Sequence, residues 1–360
     1  MYKTLYDYDN NITINPLEKN KNNYFKKLTL IFGPSCSGKS TIINEIMYLC
    51  RLDIPSYFVV CPSNLSNDQY NNLPSICVKN KLEVSWLETL WDRQKNASEA
   101  YSITNNIDNL YNLFRKIASE SKKNLVLELI DKTNKALHKI NNNNNISYSD
   151  KKKNINNIKK KKNNFLKNLY KNTIKEYNNK NYKNIELTQI DKICIKYIDF
   201  NPNIMLILDD CASTFKEIYK KTNIIKKIFY EGRHFNITTV ISSQNDKEIS
   251  SELRKNSFIT IFTNLQTSLT NFTRSSNNYS KDMQKKAINI SKLIFSNSKN
   301  EKYRKLVYIR DVEEPFFHTT ANIYEDLKFC CDYLWILDNI INKKNNELNN
   351  NNPFFNNLDI

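Results

Sequence analysis

LTLIFGPSCSGKSTII, residues 28–43, passes from a short apolar run through a glycine-bounded loop into helical spacing. Within it, Gly33-Pro34-Ser35-Cys36-Ser37-Gly38-Lys39-Ser40 meets every constrained position of the phosphate-binding pattern G-x-x-x-x-G-K-[ST]. The chemistry accounts for each residue type. Backbone N–H groups of such a loop, and of the first turn of the helix behind it, aim at phosphate oxygens. Gly33 and Gly38 supply torsions and a close approach that a side chain blocks. Lys39 brings charge to the β- and γ-phosphates, and the Ser40 hydroxyl suits Mg²⁺. The helix start continues through Thr41, so Gly33 to Thr41 is the expected nucleotide-binding segment, with ATP and Mg²⁺ as cofactors.

Working outward, Thr41 to Met47 keeps helical spacing, and Ser56-Tyr57-Phe58-Val59-Val60-Cys61-Pro62 reads as a second strand closed by proline. Strand, loop, helix and strand at this spacing form a βαβ unit in a parallel sheet. Further on, Asn203-Ile204-Met205-Leu206-Ile207-Leu208-Asp209-Asp210 is a continuous apolar strand ending in two acids. A parallel strand covered on both faces reads this way. Carboxylates at its carboxyl end face the crevice where open α/β sheets bind ligands. Asp209 is placed to hold Mg²⁺ together with Ser40, and Asp210 to orient or deprotonate an attacking water. The next buried strand, Ile237 to Ser243, ends at Gln244, whose amide is placed to sense the γ-phosphate or the water. Phe258–Phe262 and Leu306–Arg310 complete the strands, with Phe316-Phe317-His318 beside the latter.

Composition bounds the rest. The chain has 360 residues, 40% of them hydrophobic, enough for one large α/β domain or two smaller ones. No stretch approaches the ~20 apolar residues of a membrane span. The start MYKTLYDYDNN lacks an apolar run after a basic segment, so secretion is not expected. Eight scattered cysteines and three histidines predict free thiols rather than a zinc site. The formal charge of +17 is concentrated: residues 151–183 hold twelve lysines against one acid, Glu176. Asparagine enrichment around them has the imprint of an A/T-rich genome, so the run reads either as a solvated insertion or as a DNA-contacting surface.

The expected organisation is a polar N-terminal segment (1–25), a P-loop domain (26–320) carrying a low-complexity insertion at 141–184, and a closing helix with an asparagine-rich tail (321–360). The insertion reads as lysine-rich helix or as partly disordered. Residues 65–137 read as helical, with Trp86, Leu87, Leu90 and Trp91 on one core-facing side. Residues 263–278 read as a polar connection containing Arg274, and the tail beyond Lys343 as loose.

Together these features resemble the FtsK–HerA branch of DNA-pumping ATPases, and most closely the genome-packaging ATPases of poxviruses, other large DNA viruses and virophages. The residues that carry the resemblance are GPSCSGKST (33–41), LILDDC (206–211), GRHFNITTVISSQ (232–244) and LRKNSF (253–258). They lie in residues 26–62 and 200–320. The resemblance implies a RecA-like additional-strand P-loop NTPase, α/β with a mostly parallel sheet and helices on both faces. It implies a homo-oligomeric ring that hydrolyses ATP to move double-stranded DNA into a capsid, with capsid or portal-vertex partners and no membrane. It places the protein in the host cytoplasm (the viral factory) or the virion. Lys39, Asp210 and Gln244 take the catalytic positions, and Arg274, with Arg233 as second candidate, that of an arginine acting on the neighbouring subunit's site. The family often has glutamate where Asp210 stands, one methylene longer. Two other functions fit the same motifs: a cellular HerA- or FtsK-like translocase, and a nucleotide-dependent assembly scaffold that does not pump.

Overall fold

Short, nearly continuous apolar runs, buried on both faces, build the centre of the sheet. The computed structural model describes residues 4–6, 12–63, 69–143, 147–180, 185–296, 304–324 and 327–350. Among them are ten strands: β1 (Leu5–Tyr6), β2 (Thr13–Pro16), β3 (Leu28–Phe32), β4 (Ser56–Val60), β5 (Val78–Lys79), β6 (Ile204–Asp209), β7 (Ile237–Ser243), β8 (Ile259–Phe262), β9 (Arg304–Ile309) and β10 (Phe316–Thr320). Their order is β1-β2-β10-β9-β8-β3-β7-β6-β4-β5. The six strands from β8 to β5 run parallel. Beyond them β9 is antiparallel to β8, β10 antiparallel to β9, and β2 parallel to β10. β7 stands between the P-loop strand β3 and the acidic strand β6, the additional-strand arrangement expected from the motifs.

The sheet divides its apolar residues between two cores. Leu28, Leu30 and Phe32 join Leu206, Leu208, Ile241 and Phe262 on one face. Ile31, Met205, Ile207, Val240 and Ile261 meet the other face, where α1 (Lys39–Cys50) lays down Ile42, Ile43, Ile46 and Met47. Trp91 is buried on the first face, edge-on to Phe235, as the helical spacing predicts.

Four local expectations are corrected. The polar N-terminal segment does not stand apart from the P-loop domain: β1 and β2 extend the sheet, and Ile14, Leu17 and Tyr24 are buried. Its apolar residues are isolated among asparagines, too sparse to register as a strand. Residues 65–137 are not helical from the start. Within residues 69–79 lie a 3-10 turn (Ser75–Cys77) and β5, and a helix begins only at Val84; residues 64–68 lie outside the described residues. The polar connection after β8 contains the helix Leu265–Thr273, capped by the Asn264 side chain on Thr267 N and anchored by buried Phe272. The closing helix, Asp332–Asn350, runs past Lys343, because no residue before Pro353 breaks it.

The chain separates into two compact units, residues 1–95 with 202–360, and residues 96–201. The sheet lies in the first. The second is helical: Ile107–Ile117, Glu120–Asn141, Tyr148–Lys180 and Gln189–Lys196. Its core joins Leu110, Leu113, Phe114, Val126, Leu166, Tyr170, Ile174 and Cys194. Asn106 caps one helix, and Thr188 and Asp191 form a capping box on another. Of the two readings of the lysine-rich run, residues 148–180 form helix. That helix belongs to a unit wider than the low-complexity segment, because residues 107–117 and 189–198 supply its apolar partners. Residues 144–146 and 181–184 lie outside the described residues.

Candidate nucleotide site

The P-loop is shaped by what closes around it. At Gly33, which follows β3, an added Cβ would stand 1.6 Å from Thr263 Oγ1. Thr263, after β8, donates to Ser37 Oγ at 2.6 Å, and Ser37 donates to Pro34 O at 2.7 Å. Gly38 has φ 83°, the left-handed conformation that a side chain disfavours, and α1 begins at the next residue. Beneath the loop, Lys305 of β9 donates to Ser37 O at 3.2 Å. Burial first, opposed by the Glu45 carboxylate, holds its ammonium down to about 8. No local motif marks this lysine in the sequence; it follows Arg304 at the start of β9, ahead of the apolar run.

The strand ends bring the other groups together. Phe32 pairs with Ser243, and Asp209 with Ser242, so the loop and the two acids lie one strand apart at one end of the sheet. Lys39 Nζ donates to Gly33 O and Pro34 O at 3.0 and 3.1 Å and stands 3.7 Å from Asp210 Oδ2. Asp209 Oδ1 accepts from Ser242 Oγ. Its Oδ2 accepts from Tyr70 OH at 2.8 Å and from Gln69 Nε2 at 3.0 Å, and the same Gln69 nitrogen donates to Ser40 Oγ. The residues flank one cleft of about 500 Å³, lined by Ser35, Cys36, Gly38, Lys39, Ser40, Thr41, Ser63, Gln69, Asp209, Asp210 and Gln244.

Asp210 differs from its neighbour. Its φ of 51° is unusual for an aspartate, and its buried Oδ1 has no hydrogen-bond partner among the described residues. Burial raises its carboxyl above the usual range and the Asp209 charge adds to this, against Lys39 and a hydrogen bond with Gln244 that lower it. A carboxylate with raised proton affinity and a spare oxygen in a polar cleft is equipped to take a proton. The donor set at Ser40 and Asp209, a hydroxyl and a carboxylate, is the hard-oxygen chemistry Mg²⁺ takes from a protein when phosphates and water complete its shell. These residues fit the ion.

The arginines lie elsewhere. Arg274, at the end of the helix Leu265–Thr273, grips Asp246 through Nε and Nη2 at 2.9 and 2.7 Å. Asp246 also accepts from Asn271 and through its carbonyl from Arg254. Arg233 is in the turn before β7, while Gln244 follows its far end; seven residues at ~3.3 Å put about 20 Å between them. Neither arginine lines the cleft of its own chain. Gln69, Tyr70, Ser242, Thr263 and Lys305 escaped the sequence reading; of these only Ser242, just before the strand-ending glutamine, had a positional signal.

The strand order and the loop define a P-loop α/β fold of the additional-strand type. No family model matches the chain. The African swine fever virus protein B354L, described as uncharacterized, is 32% identical over 358 residues in the isolate Pig/Kenya/KEN-50/1950, covering 94% of each chain. Its counterpart in the isolate Tick/Malawi/Lil 20-1/1983 shows the same identity and coverage. The chain belongs to the family of these African swine fever virus B354L proteins. Among solved structures, the genome packaging NTPase B204 from Sulfolobus turreted icosahedral virus 2 with AMP is 12% identical, covers 85% of this chain and 100% of its own, and has a TM-score of 0.35. The pCW3 conjugation coupling protein TcpA with ATPγS is 13% identical, with 95% and 70% coverage and a TM-score of 0.38. Likeness at this level leaves function to be read from the site. No helix among the described residues is long and apolar enough to cross a membrane.

Proposed function

We propose that this chain hydrolyses ATP to drive double-stranded DNA into a viral capsid, working as a homo-oligomeric ring in the infected cytoplasm or the virion with capsid or portal-vertex partners. The observation that carries the nucleotide chemistry is the convergence of Lys39, Ser40, Asp209, Asp210 and Gln244 on one cleft. The motif resemblance supports the packaging assignment, and the African swine fever virus relatives support a viral setting.

In this mechanism the amides of residues 33–41 cradle the phosphates. Lys39 turns from the Gly33 and Pro34 carbonyls toward the γ-phosphate. Ser40 and Asp209 would hold Mg²⁺, which when bound would supply charge neutralisation at the phosphate oxygens. Asp210 orients a water in line with the γ-phosphorus and takes its proton as the bond to the leaving diphosphate breaks. Gln244, hydrogen-bonded to Asp210, links that event to the end of β7. Two residues on, Asp246 holds Arg274, which acts on the site of the neighbouring subunit as an arginine finger. The carboxylate keeps the guanidinium fixed in its own chain until that neighbour is in place.

The test is translocation. The protein with ATP and magnesium is given a DNA duplex carrying a bound third strand, and release of that strand is followed. Release by the native chain and none by Lys39→Ala is expected; no release under any nucleotide condition would leave an ATP-dependent scaffold.

A further inference from the structure

The helical unit carries a charge segregation that the nucleotide site does not use. Helix Tyr148–Lys180 is anchored by its C-terminal half, where Leu166, Tyr170, Ile174 and Tyr177 are buried. Its N-terminal part, residues 148–162, holds seven lysines against one acid, Asp150. At 100° per residue, Lys152, Lys153, Lys159 and Lys160 fall on one face, together with Asn156 and Asn163. All six are exposed, whereas Lys151, Ile155, Ile158 and Lys162 form the half-buried seam opposite. The acids that could neutralise the exposed face are engaged elsewhere. On helix Glu120–Asn141, Glu128 and Asp131 pair with Lys132 and Lys135 of their own helix, and Glu120 with Lys123. Asp150 accepts from Ser147. Among the described residues no carboxylate pairs with Lys152, Lys153, Lys159 or Lys160.

We infer that this face binds the phosphate backbone of double-stranded DNA, independently of sequence and of nucleotide. The inference rests on the DNA-motor function proposed above and gives it a binding surface outside the P-loop domain core. From Lys152 to Lys160 the helix rises about 12 Å. That length of duplex axis carries about seven phosphate charges, enough to engage all four ammonium groups. Exposed Asn156 and Asn163 add uncharged donors of the kind that phosphate oxygens accept; of the exposed rings on this helix only Tyr148, one turn before Lys152, borders the face, and a single ring falls short of the succession of rings on which single-stranded bases stack. The contribution of the face is affinity and salt dependence.

The test uses the full chain with the four lysines replaced together (K152Q/K153Q/K159Q/K160Q); glutamine keeps helix propensity. A control replaces four exposed lysines of the other unit (K216Q/K220Q/K221Q/K285Q), removing equal charge. Binding of a fluorescent 30-base-pair duplex is measured without nucleotide at several salt concentrations, after circular dichroism has shown that both variants melt like the native chain. A log–log salt slope shallower by about 3–4 in the first variant, and by less than about 1 in the control, is expected from release of one counterion per phosphate contact. An unchanged slope, or an equal fall in the control, overturns the inference. So does loss of binding to phosphatidylserine vesicles with duplex binding intact, which would assign the face to an anionic membrane surface. The measurement needs no ATP, so an inactive P-loop would overturn the motor while leaving this result standing.

Discussion

Ser40 Oγ and Asp209 Oδ2 are bridged by a single nitrogen, the amide of Gln69, which donates to both. A helix start and a strand end remote in sequence thus lie close enough to share one small partner, as common ligands of one ion must. The amide already engages the two oxygens that would ligate a cation, so the two would compete for them. Gln69→Ala is expected to tighten magnesium-dependent ATP binding several-fold. Ser40→Ala and Asp209→Asn should weaken it by about tenfold or more, the worth of a charged contact. Titration of a fluorescent ATP analogue with magnesium and with EDTA checks this; equal effects in both would remove the ion from the explanation.

Asp210 is expected to act on rate rather than on binding. Asp210→Asn should slow turnover by about 10²–10⁴ while ATP affinity holds. Because burial and Asp209 raise its carboxyl, the base is lost by protonation as pH falls through that raised value. The acid limb of the pH–rate profile should therefore lie above the ordinary aspartate range. A limb at the ordinary position would take the base role away from this residue.

Lys305 gives a pH signature in stability. Its ammonium titrates at about 8 when folded against 10.5 for an ordinary lysine. Between these values the unfolded chain binds the extra proton, so stability rises with pH there. Below pH 8 both states are charged and the full cost of burial remains, about 3 kcal/mol at most. Melting curves from pH 7 to 10.5 should show the native chain gaining on Lys305→Met across that window. A constant difference would contradict the shift.

The apolar strands were legible because a parallel strand covered on both faces must be apolar throughout, and the P-loop because backbone geometry and phosphate chemistry constrain nearly every position. The acids after Leu208 followed from where the strand had to end. What escaped was tertiary. Gln69 and Tyr70 meet Asp209 only because their segment lies over the strand ends, and nothing in their neighbours announces it. The helix Leu265–Thr273 is polar on its open side and depends on an asparagine cap and Phe272, a weaker signal than a repeating stripe. Lys305 follows Arg304 at the charged start of β9, where nothing in the sequence separates it from an ordinary strand-end lysine; the P-loop carbonyl of Ser37 and the Glu45 carboxylate are tertiary partners.

Arg274 is held by Asp246, two residues beyond Gln244. Arg274→Ala leaves Asp246 buried without its guanidinium and should cost about 2–4 kcal/mol in denaturant unfolding. The trans role has its own readout. Arg274→Ala mixed with Lys39→Ala should hydrolyse ATP faster than either alone, since mixed interfaces pair a sound P-loop with a sound arginine. A mixture as inactive as its parts would confine Arg274 to holding Asp246.

Release of inorganic phosphate from ATP, measured with and without double-stranded DNA, bears most directly on the whole account. The native chain should turn over ATP in a magnesium-dependent manner, accelerate on addition of duplex, and lose both properties in Lys39→Ala. Turnover indifferent to DNA, or a Lys39→Ala protein as active as the native one, would contradict a DNA motor powered from the cleft between Ser40 and Asp209.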